Sequence, residues 1–262
     1  MENPTRTPDE QAQNAQTKKL WYQKWWGKII VVIIFSIAGI SMIGAMMVDD
    51  EKNDTNSNQQ ITSQEDQSKE QSKKEETIPE PAPIKLSGIG QQASQKFNLE
   101  DGLSVFKMTH TGASNFAVIL MDSDGQKIEL LVNEIGKFDG AKAVGIAKRG
   151  EYILDVSADG KWAVTIEQPR PVTADPAPKT FTGTGQQISP FIKLDKGLIT
   201  FKLKHTGKSN FAIILMDKNG NREELLVNEI GDFDGSKAVG ISRSGVYLLD
   251  VSADGAWTAS ME

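Results

Sequence analysis

The chain has 262 residues, of which 38% are hydrophobic and 24% charged, a composition typical of folded protein with room for one or two domains. Its formal net charge of −6, without a basic face interleaved with aromatic residues, argues against binding to nucleic acid. The sequence has no cysteine, which excludes disulfides and lipid attachment through cysteine, so exported domains must hold together by packing alone.

An apolar run, residues 29–48, follows a polar tail, residues 1–28. At about 1.5 Å per residue the run reaches about 30 Å, the thickness of a bilayer core, and it predicts a transmembrane helix. A cleaved signal peptide is the alternative, but the long tail and the missing cleavage signal favour an uncleaved anchor. Four lysines precede the run: Lys18, Lys19, Lys24 and Lys28. The positive-inside rule therefore predicts a single-pass protein of the cell membrane, with its N-terminus in the cytoplasm and its C-terminal domains extracellular.

The rest of the chain divides into a polar segment and two copies of one sequence. Residues 49–83 are rich in Gln, Ser, Glu and Lys and predict a disordered extracellular stalk. Residues 84–167 and residues 180–262 are the two repeats, separated by a proline-rich linker, residues 168–179. "HTGASNFAVILMDSDG" at His110 returns without a gap as "HTGKSNFAIILMDKNG", 95 residues later. This pattern predicts two separate domains on a flexible joint.

Within each repeat the apolar residues have the period of β-strands. "LSVFKMTH" and "EYILDVSA" alternate apolar and polar residues, "NFAVILMD" is a continuous β-rich run, and Asp-Gly turns separate the runs. No segment shows sustained helical spacing. The predicted fold is all-β, with two tandem antiparallel β-sandwich domains of about seven to nine strands each. The residues predicted to face inward, with their counterparts in the second repeat, are Phe106, Phe116, Ile119, Leu130, Val132, Val144, Tyr152, Leu154, Val156 and Trp162.

The order "LEDGLSVFKM", "NFAVILMDSDG" and "GEYILDVSADGKWAVTI" resembles the bacterial pre-peptidase C-terminal domain and its relatives. The resemblance covers both repeats and includes an "L-x-D-x-x-G" hairpin at residues 120–125 and a "G-x-Y-x-L-x-V" strand at residues 150–156. It implies a small jelly-roll-like sandwich. In this sequence no peptidase precedes the domain, and the block "LLVNEIGxFDGxKAVGI" has no place in the family's pattern. The N-terminal "KKLWYQKWWGKIIVVIIF" is similar to the cytoplasmic edge of single-pass envelope proteins of Gram-positive bacteria. Together these resemblances imply a surface module and not an enzyme.

Catalytic and metal chemistry find little support in the sequence. His110 and His205 occupy the same position in the two repeats, and one histidine per repeat without cysteine does not supply a zinc site, so a turn stabilised by the imidazole is favoured. No G-x-S-x-G elbow or phosphate-binding loop is present, which predicts a protein that is neither an enzyme nor dependent on a cofactor. The acidic turns "DSDG", "DKNG", "FDG" and "SADG" leave calcium as an alternative, although Asp-Gly is also the ordinary hairpin signal.

The most informative segment is "VNEIGKFDGAK", with its twin "VNEIGDFDGSK". It gathers polar residues among glycines between two strands, where binding residues often lie, and a structural turn is the competing interpretation. Two tryptophans that follow Asp-Gly turns are candidates for stacking on sugar rings, although tryptophans in such strands more often belong to the core. The ligand-binding candidates are Asn133, Glu134, Asp139, Lys142, Asn228, Glu229, Asp234, Lys237, Trp162 and Trp257.

These features predict a membrane-anchored, extracytoplasmic binding module that displays two β-sandwich domains to a cell-wall or surface polymer or to a protein. Duplication raises the effective concentration of binding sites and improves apparent affinity by about 10² or more. The alternative is a structural or accessory subunit that contacts another membrane protein, and a hydrolytic enzyme is favoured less.

Overall fold

The computed structural model describes residues 79–262. The predicted cytoplasmic tail, transmembrane helix and most of the stalk lie outside the described residues. Within residues 79–262, the structure contains no helix with the length and apolarity required to cross a membrane.

The first repeat is built from β-strands in two sheets. Its strands are β1 (Ile84–Ile89), β2 (Gln92–Ala93), β3 (Phe97–Leu99), β4 (Gly102–His110), β5 (Asn115–Asp122), β6 (Lys127–Ile135), β7 (Phe138–Ile146), β8 (Gly150–Ser157) and β9 (Lys161–Glu167). One sheet has the order β1-β9-β4-β7, the other has the order β2-β8-β5-β6, and β3 also pairs with β8. All these pairs are antiparallel. With β2 and β3 counted as one interrupted strand, the chain crosses between the sheets at every connection except the β5–β6 hairpin, which is the connectivity of a jelly roll.

The second repeat has the same order and one additional short strand. Its strands are β10 (Asp175–Pro176), β11 (Lys179–Thr184), β12 (Gln187–Ile188), β13 (Ile192–Leu194), β14 (Gly197–Thr206), β15 (Asn210–Asp217), β16 (Arg222–Ile230), β17 (Phe233–Ile241), β18 (Gly245–Ser252) and β19 (Ala256–Met261). The sheets have the orders β11-β19-β14-β17 and β10-β13-β18-β15-β16, and β12 also pairs with β18. Strand β10 lies parallel to β13. All other pairs in this repeat are antiparallel, so the prediction of an all-β fold built mainly from antiparallel strands is confirmed for the described residues.

Each repeat has its own apolar core between its two sheets. Phe116 and Phe211 are fully buried, as predicted for the continuous β-rich runs that form β5 and β15. The prediction for Leu130 was wrong, because this side chain is 49% exposed, and that of its counterpart Leu225 is 41% exposed. A β-bulge shifts the β5–β6 register between Val118 and Ile119, so Leu131 turns inward in place of Leu130. Ile119 lies between inward-facing neighbours on β5 and is only half-buried.

The two repeats are in contact, contrary to the expectation of separate domains on a flexible joint. A third apolar cluster joins them; its buried members are Leu103, Val105, Ala143, Met216 and Leu248, with Ile188, Phe191 and Ile214 packed against it. These residues lie on β4 and β7 of the first repeat and on the outer face of the β12-β18-β15 sheet of the second, except Phe191, which lies between β12 and β13. We call this contact the inter-repeat interface. Alternation along strands indicates only which residues face a repeat's own core, and therefore did not indicate this interface.

Polar groups reinforce the inter-repeat interface. The Lys142 ammonium lies 2.6 Å from Asp250 Oδ2, and the Ala143 backbone N–H donates to Asp250 Oδ1 at 3.1 Å. Gln186 donates from Nε2 to the Leu131 carbonyl at 2.8 Å. Because the Lys142–Asp250 pair is buried, removing one partner would leave the other as an uncompensated charge.

The proline-rich linker, residues 168–179, is attached to both repeats. Gln168 is buried and donates from Nε2 to the Glu100 carbonyl and the Ser104 hydroxyl. Arg170 donates to the Leu103 carbonyl at 3.1 Å. Further along, β10 pairs with β13 of the second repeat. The linker therefore contributes hydrogen bonds to the structure in addition to its role as a spacer.

Candidate functional site

The segment expected to form a binding loop consists mostly of strand. Asn133 and Glu134 belong to β6, Asp139 and Lys142 belong to β7, and only residues 136–137 connect the two strands. Because β6 and β7 lie in different sheets, this connection crosses from one layer of the sandwich to the other. The polar residues of the segment therefore face different surroundings, and they do not form one site.

The two lysines of this segment have different partners. Lys142 is buried in the inter-repeat interface and is not available to a ligand, so the hypothesis that it binds one is wrong. Its counterpart Lys237 lies outside the inter-repeat interface. The Lys237 ammonium instead donates to Glu224 Oε1 and to the Leu225 carbonyl, each at 2.6 Å.

Glu134 is exposed, as are Asn133, Asn228 and Glu229, but its carboxyl lies near enough to the second repeat to be influenced by Asp254. Desolvation raises the pKa of the Glu134 carboxyl above its ordinary value, and the negative charge of Asp254 raises it further. Desolvation raises the pKa of the Asp254 carboxyl. Its other surroundings lower the pKa by more: the carboxylate accepts hydrogen bonds from the backbone N–H groups of Lys208 and Ser209, and His205 is nearby. The pKa of Asp254 is therefore below its ordinary value. Asp254 thus stays ionised beside Glu134.

Trp162 and Trp257 are core residues at the rim of the sandwich. Each indole is only 3% exposed, and its Nε1 donates at 3.1 Å to a backbone carbonyl, that of Gly90 or Gly185. Gly183 lies against the ring of Trp257 so closely that a Cβ atom there would be 2.4 Å from the indole. The core interpretation of the tryptophans is therefore confirmed, and their faces are not open for stacking on a sugar.

The two histidines stabilise the turn that follows their strand. His110 stacks on Phe116, with ring centroids 4.5 Å apart, and its Nδ1 donates to the Gly136 carbonyl at 2.7 Å. Its buried Nε2 lies 3.2 Å from Asp159 Oδ1, without the alignment of a hydrogen bond. Asp159 Oδ2 accepts from the backbone N–H groups of residues 113 and 114, each at 3.0 Å. His205 and Asp254 repeat this arrangement in the second repeat, which confirms the turn interpretation.

The acidic turns use their carboxylates to accept backbone hydrogen bonds. Asp122 Oδ1 accepts from Asp124 and Gln126, and Asp217 Oδ1 accepts from Asn219 and Asn221. Within residues 79–262 no group of three His, Cys, Asp or Glu side chains is arranged to hold a metal ion.

The outer face of the β11-β19-β14 sheet in the second repeat is concave and open to solvent. A groove of about 540 Å³ lies there, bordered by the edge of Trp257. Its polar lining side chains are Thr182, Thr184, Gln187, Lys204, Thr206 and Thr258. Register across the strands places Thr182, Thr258, Lys204 and Asp234 side by side in one row. The Lys204 ammonium pairs with Asp234 Oδ2 at 3.2 Å.

The first repeat presents the equivalent face. On the β1-β9-β4-β7 sheet, one row contains Ser87, Ala163, Thr109 and Asp139, and the next contains Lys85, Thr165 and Lys107. All of these side chains except that of Ser87 line a groove of about 450 Å³. We call the two equivalent surfaces the polar sheet faces. Of the sequence candidates, only Asp139 and Asp234 lie on them as exposed residues. The threonines were missed, although their outward positions on alternating strands were a usable signal.

Comparison with known proteins adds limited information. No protein-family model and no curated protein matches the chain. Among solved structures, it is similar to the M60 catalytic domain with CBM51-1 and CBM51-2 domains of Clostridium perfringens ZmpB, at 8% identity, TM-score 0.26, 68% coverage of this chain and 34% of that one. The chain thus spans about a third of the length of that structure.

Two further similarities cover more of the other protein. The PBSX exported protein XepA matches at 10% identity and TM-score 0.23, over 70% of this chain and 86% of that chain. The CBM22-1-CBM22-2 tandem of Paenibacillus barcinonensis Xyn10C matches at 5% identity and TM-score 0.22, over 70% of this chain and 92% of that chain. These TM-scores assign the chain to none of the three groups.

Proposed function

We propose that this chain is an extracytoplasmic binding module of the bacterial envelope, anchored in the cell membrane by residues 29–48, that holds an extended, hydroxyl-rich polymer of the cell wall. The observation that carries the proposal is the polar sheet face, which recurs on the equivalent sheet of both repeats. Hydroxyl, ammonium and carboxylate groups stand there in adjacent rows on rigid strands.

The shape of these faces favours a polymer over a small molecule. Small-molecule sites are usually enclosed and mostly apolar, whereas both grooves are open to solvent and present threonine hydroxyls together with charged side chains. Threonine hydroxyls both donate and accept hydrogen bonds, which suits a ligand that also carries many hydroxyl groups. Each hydrogen bond contributes little, about 0.5–1.5 kcal/mol, so useful affinity requires many contacts along an extended ligand.

The inter-repeat interface supports the same proposal. Because the repeats are in contact, the two polar sheet faces belong to one body, and a polymer chain that binds one face reaches the other at a high effective concentration. This fixed pairing replaces the flexible joint that the sequence predicted.

Co-sedimentation with purified cell wall tests the proposal, with a chain restricted to residues 79–262. Removing hydroxyls without changing shape, by Thr109→Val, Thr165→Val, Thr182→Val and Thr258→Val together, is expected to weaken binding at least about tenfold. Thr173→Val, an exposed threonine in the linker, is the matched control and should bind like the unsubstituted chain.

Two results would contradict the proposal. One is saturable wall binding that the four substitutions leave unchanged, since the polar sheet faces would then not be the site. The other is no binding at low or moderate salt, with cross-linking of the full chain in cells capturing a membrane protein. That second result would favour the accessory-subunit function.

A further inference from the structure

The inter-repeat interface joins two different surfaces. One, the edge surface, lies on β4 and β7 of the first repeat and includes Leu103, Val105, Lys142, Ala143 and Gly145. The other, the docking face, lies on the outer side of the sheet of the second repeat and includes Ile188, Ile214, Met216, Leu248 and Asp250. A contact between unlike surfaces leaves one of each kind unused at the two ends of the pair.

Because the repeats are duplicated, the unused surfaces have nearly the same residues as the used ones. The edge surface of the second repeat has Leu198, Thr200, Lys237, Ala238 and Gly240 at the equivalent positions. The docking face of the first repeat has Ala93, Ile119, Met121, Ile153 and Asp155. Their exposure fits an unpartnered state: Leu198 is 75% exposed, whereas its counterpart Leu103 is fully buried. Asp155 is likewise exposed, whereas Asp250 is buried.

We propose that the free edge surface of the second repeat binds the free docking face of the first repeat in another copy of this chain, so that the protein associates head to tail. The geometry required is the one that the two repeats already adopt within a single chain. Such an unlike contact extends into a row of molecules or closes into a ring.

The charged residues are complementary for this contact. Within the chain, Lys142 pairs with Asp250 and Arg222 pairs with Glu129 at 2.8 Å. Between chains the equivalent pairs are Lys237 with Asp155, and Lys127 with Glu224. In the single chain Lys237 rests on Glu224. On association, Lys127 of the other copy pairs with Glu224. Lys237 then pairs with Asp155 of that other copy instead of with Glu224.

The glycines at the contact match as well. Gly145 and Gly220 approach so closely in the interface that a Cβ atom on Gly145 would lie 2.3 Å from the Gly220 carbonyl oxygen. Their counterparts Gly240 and Gly125 have nothing within 4 Å of such an atom, so the space for an incoming backbone is open. Gly125 also has the same left-handed conformation as Gly220, with φ of +79° and +86°.

Sequence differences between the two repeats make the contact between chains weaker than the contact within the chain. Ala93 replaces Ile188, Lys96 replaces Phe191, and Thr200 replaces Val105, so less apolar surface is buried. The association between chains also costs translational and rotational freedom that a single chain does not lose. We therefore expect association that depends on concentration, with a dissociation constant on the order of micromolar.

Sedimentation velocity of the full chain in detergent micelles tests the proposal through charge reversal. The unsubstituted chain is expected to shift from monomer to larger species as its concentration rises. Lys237→Glu and Asp155→Lys should each remain monomeric, because each variant opposes like charges across the contact. An equimolar mixture of the two variants should associate again, because every contact between a chain of one kind and a chain of the other then brings opposite charges together. Lys161→Glu, an exposed residue on β9 in the sheet of the first repeat that does not carry the docking face, is the matched control and should behave as the unsubstituted chain.

A second variant tests the contact by shape instead of charge. Gly240→Val fills the open space on the edge surface and should prevent association while the chain stays folded. The proposal is overturned if the unsubstituted chain stays monomeric at a protein concentration several hundred times the expected dissociation constant. It is equally overturned if mixing the two charge variants fails to restore association. Association that survives every one of these substitutions would also overturn it, because the chains would then be held together elsewhere, for example through residues 29–48.

Discussion

At the scale of single residues, duplication has given identical side chains different roles. Asp155 and Asp250 stand at the same position of the two repeats, yet Asp155 is exposed and Asp250 is 2% exposed. The difference comes entirely from what lies against them, since Asp250 accepts hydrogen bonds from Lys142 and Ala143 of the first repeat. The two repeats therefore serve as each other's control in any test of a single residue.

The first prediction concerns this pair of aspartates. Asp250→Ala leaves the Lys142 ammonium buried without a partner and is expected to cost about 3–5 kcal/mol of unfolding free energy. Asp155→Ala removes the same side chain from solvent-exposed surroundings and should change stability by less than about 0.5 kcal/mol. Urea denaturation of the two variants measures the difference. Equal effects would show that the Lys142–Asp250 pair does not hold the repeats together.

The second prediction concerns the pH dependence contributed by Glu134. Because its pKa is raised in the folded protein, its ionised form destabilises the fold above the ordinary value of 4.5, and this penalty disappears as the pH falls through the folded pKa. Glu134→Gln should therefore raise the melting temperature at pH 7, by about 1 °C because the carboxylate keeps access to solvent, and should give no gain below pH 4.5. Thermal unfolding across pH measures this, with Glu229→Gln as control. A gain that persists at low pH would contradict the electrostatic explanation.

At the scale of strands, the sequence predicted the elements well and their register less well. Alternation, continuous β-rich runs and Asp-Gly turns located the strands, and the inward phenylalanines of β5 and β15 were predicted from the continuous runs. The bulge opposite Ile119 was not predictable, because an extra residue in one strand leaves no sign in that strand's own pattern. As a result Leu130 was assigned to the core that Leu131 fills.

The strand order, which local sequence does not show, also explains why the predicted binding loop was not found. The polar residues of "VNEIGKFDGAK" were predicted to share a loop, but the short connection sends β6 and β7 into different sheets. Conversely, the polar sheet faces combine residues from three strands that are distant in sequence, so only the strand order brings Thr182, Thr258 and Lys204 together. Asp139 and Asp234 were the part of the site that local sequence could indicate.

The third prediction concerns β7 and β17, which have nearly the same sequence but different neighbours. Gly145→Val would place a side chain against the backbone of Gly220, and overpacking of this kind costs about 1–3 kcal/mol. Gly240→Val meets open space and should cost less than about 0.5 kcal/mol, because valine suits a strand better than glycine does. Denaturant unfolding of both variants tests the pair. A larger cost at Gly240 than at Gly145 would contradict the observed contact.

At the scale of the whole molecule, a duplicated sequence has produced one interdependent structure. The third apolar cluster takes residues from both repeats, and the linker is bonded to each. The interface explains why the first repeat's edge surface and the second repeat's docking face are buried while their counterparts are open. It also means that the polar sheet faces are displayed at a fixed separation.

The fourth prediction is that residues 79–262 unfold in a single transition. Each repeat has its own core, so independent repeats would melt separately, whereas a shared apolar cluster and a buried ion pair couple them. Differential scanning calorimetry should give a calorimetric enthalpy close to the van't Hoff enthalpy, the signature of two-state unfolding. In Asp250→Ala the coupling is weakened, so the calorimetric enthalpy should exceed the van't Hoff value as the repeats begin to melt apart. Two transitions in the unsubstituted protein would mean that the repeats touch without stabilising each other, and the expected difference between Asp250→Ala and Asp155→Ala would then also vanish.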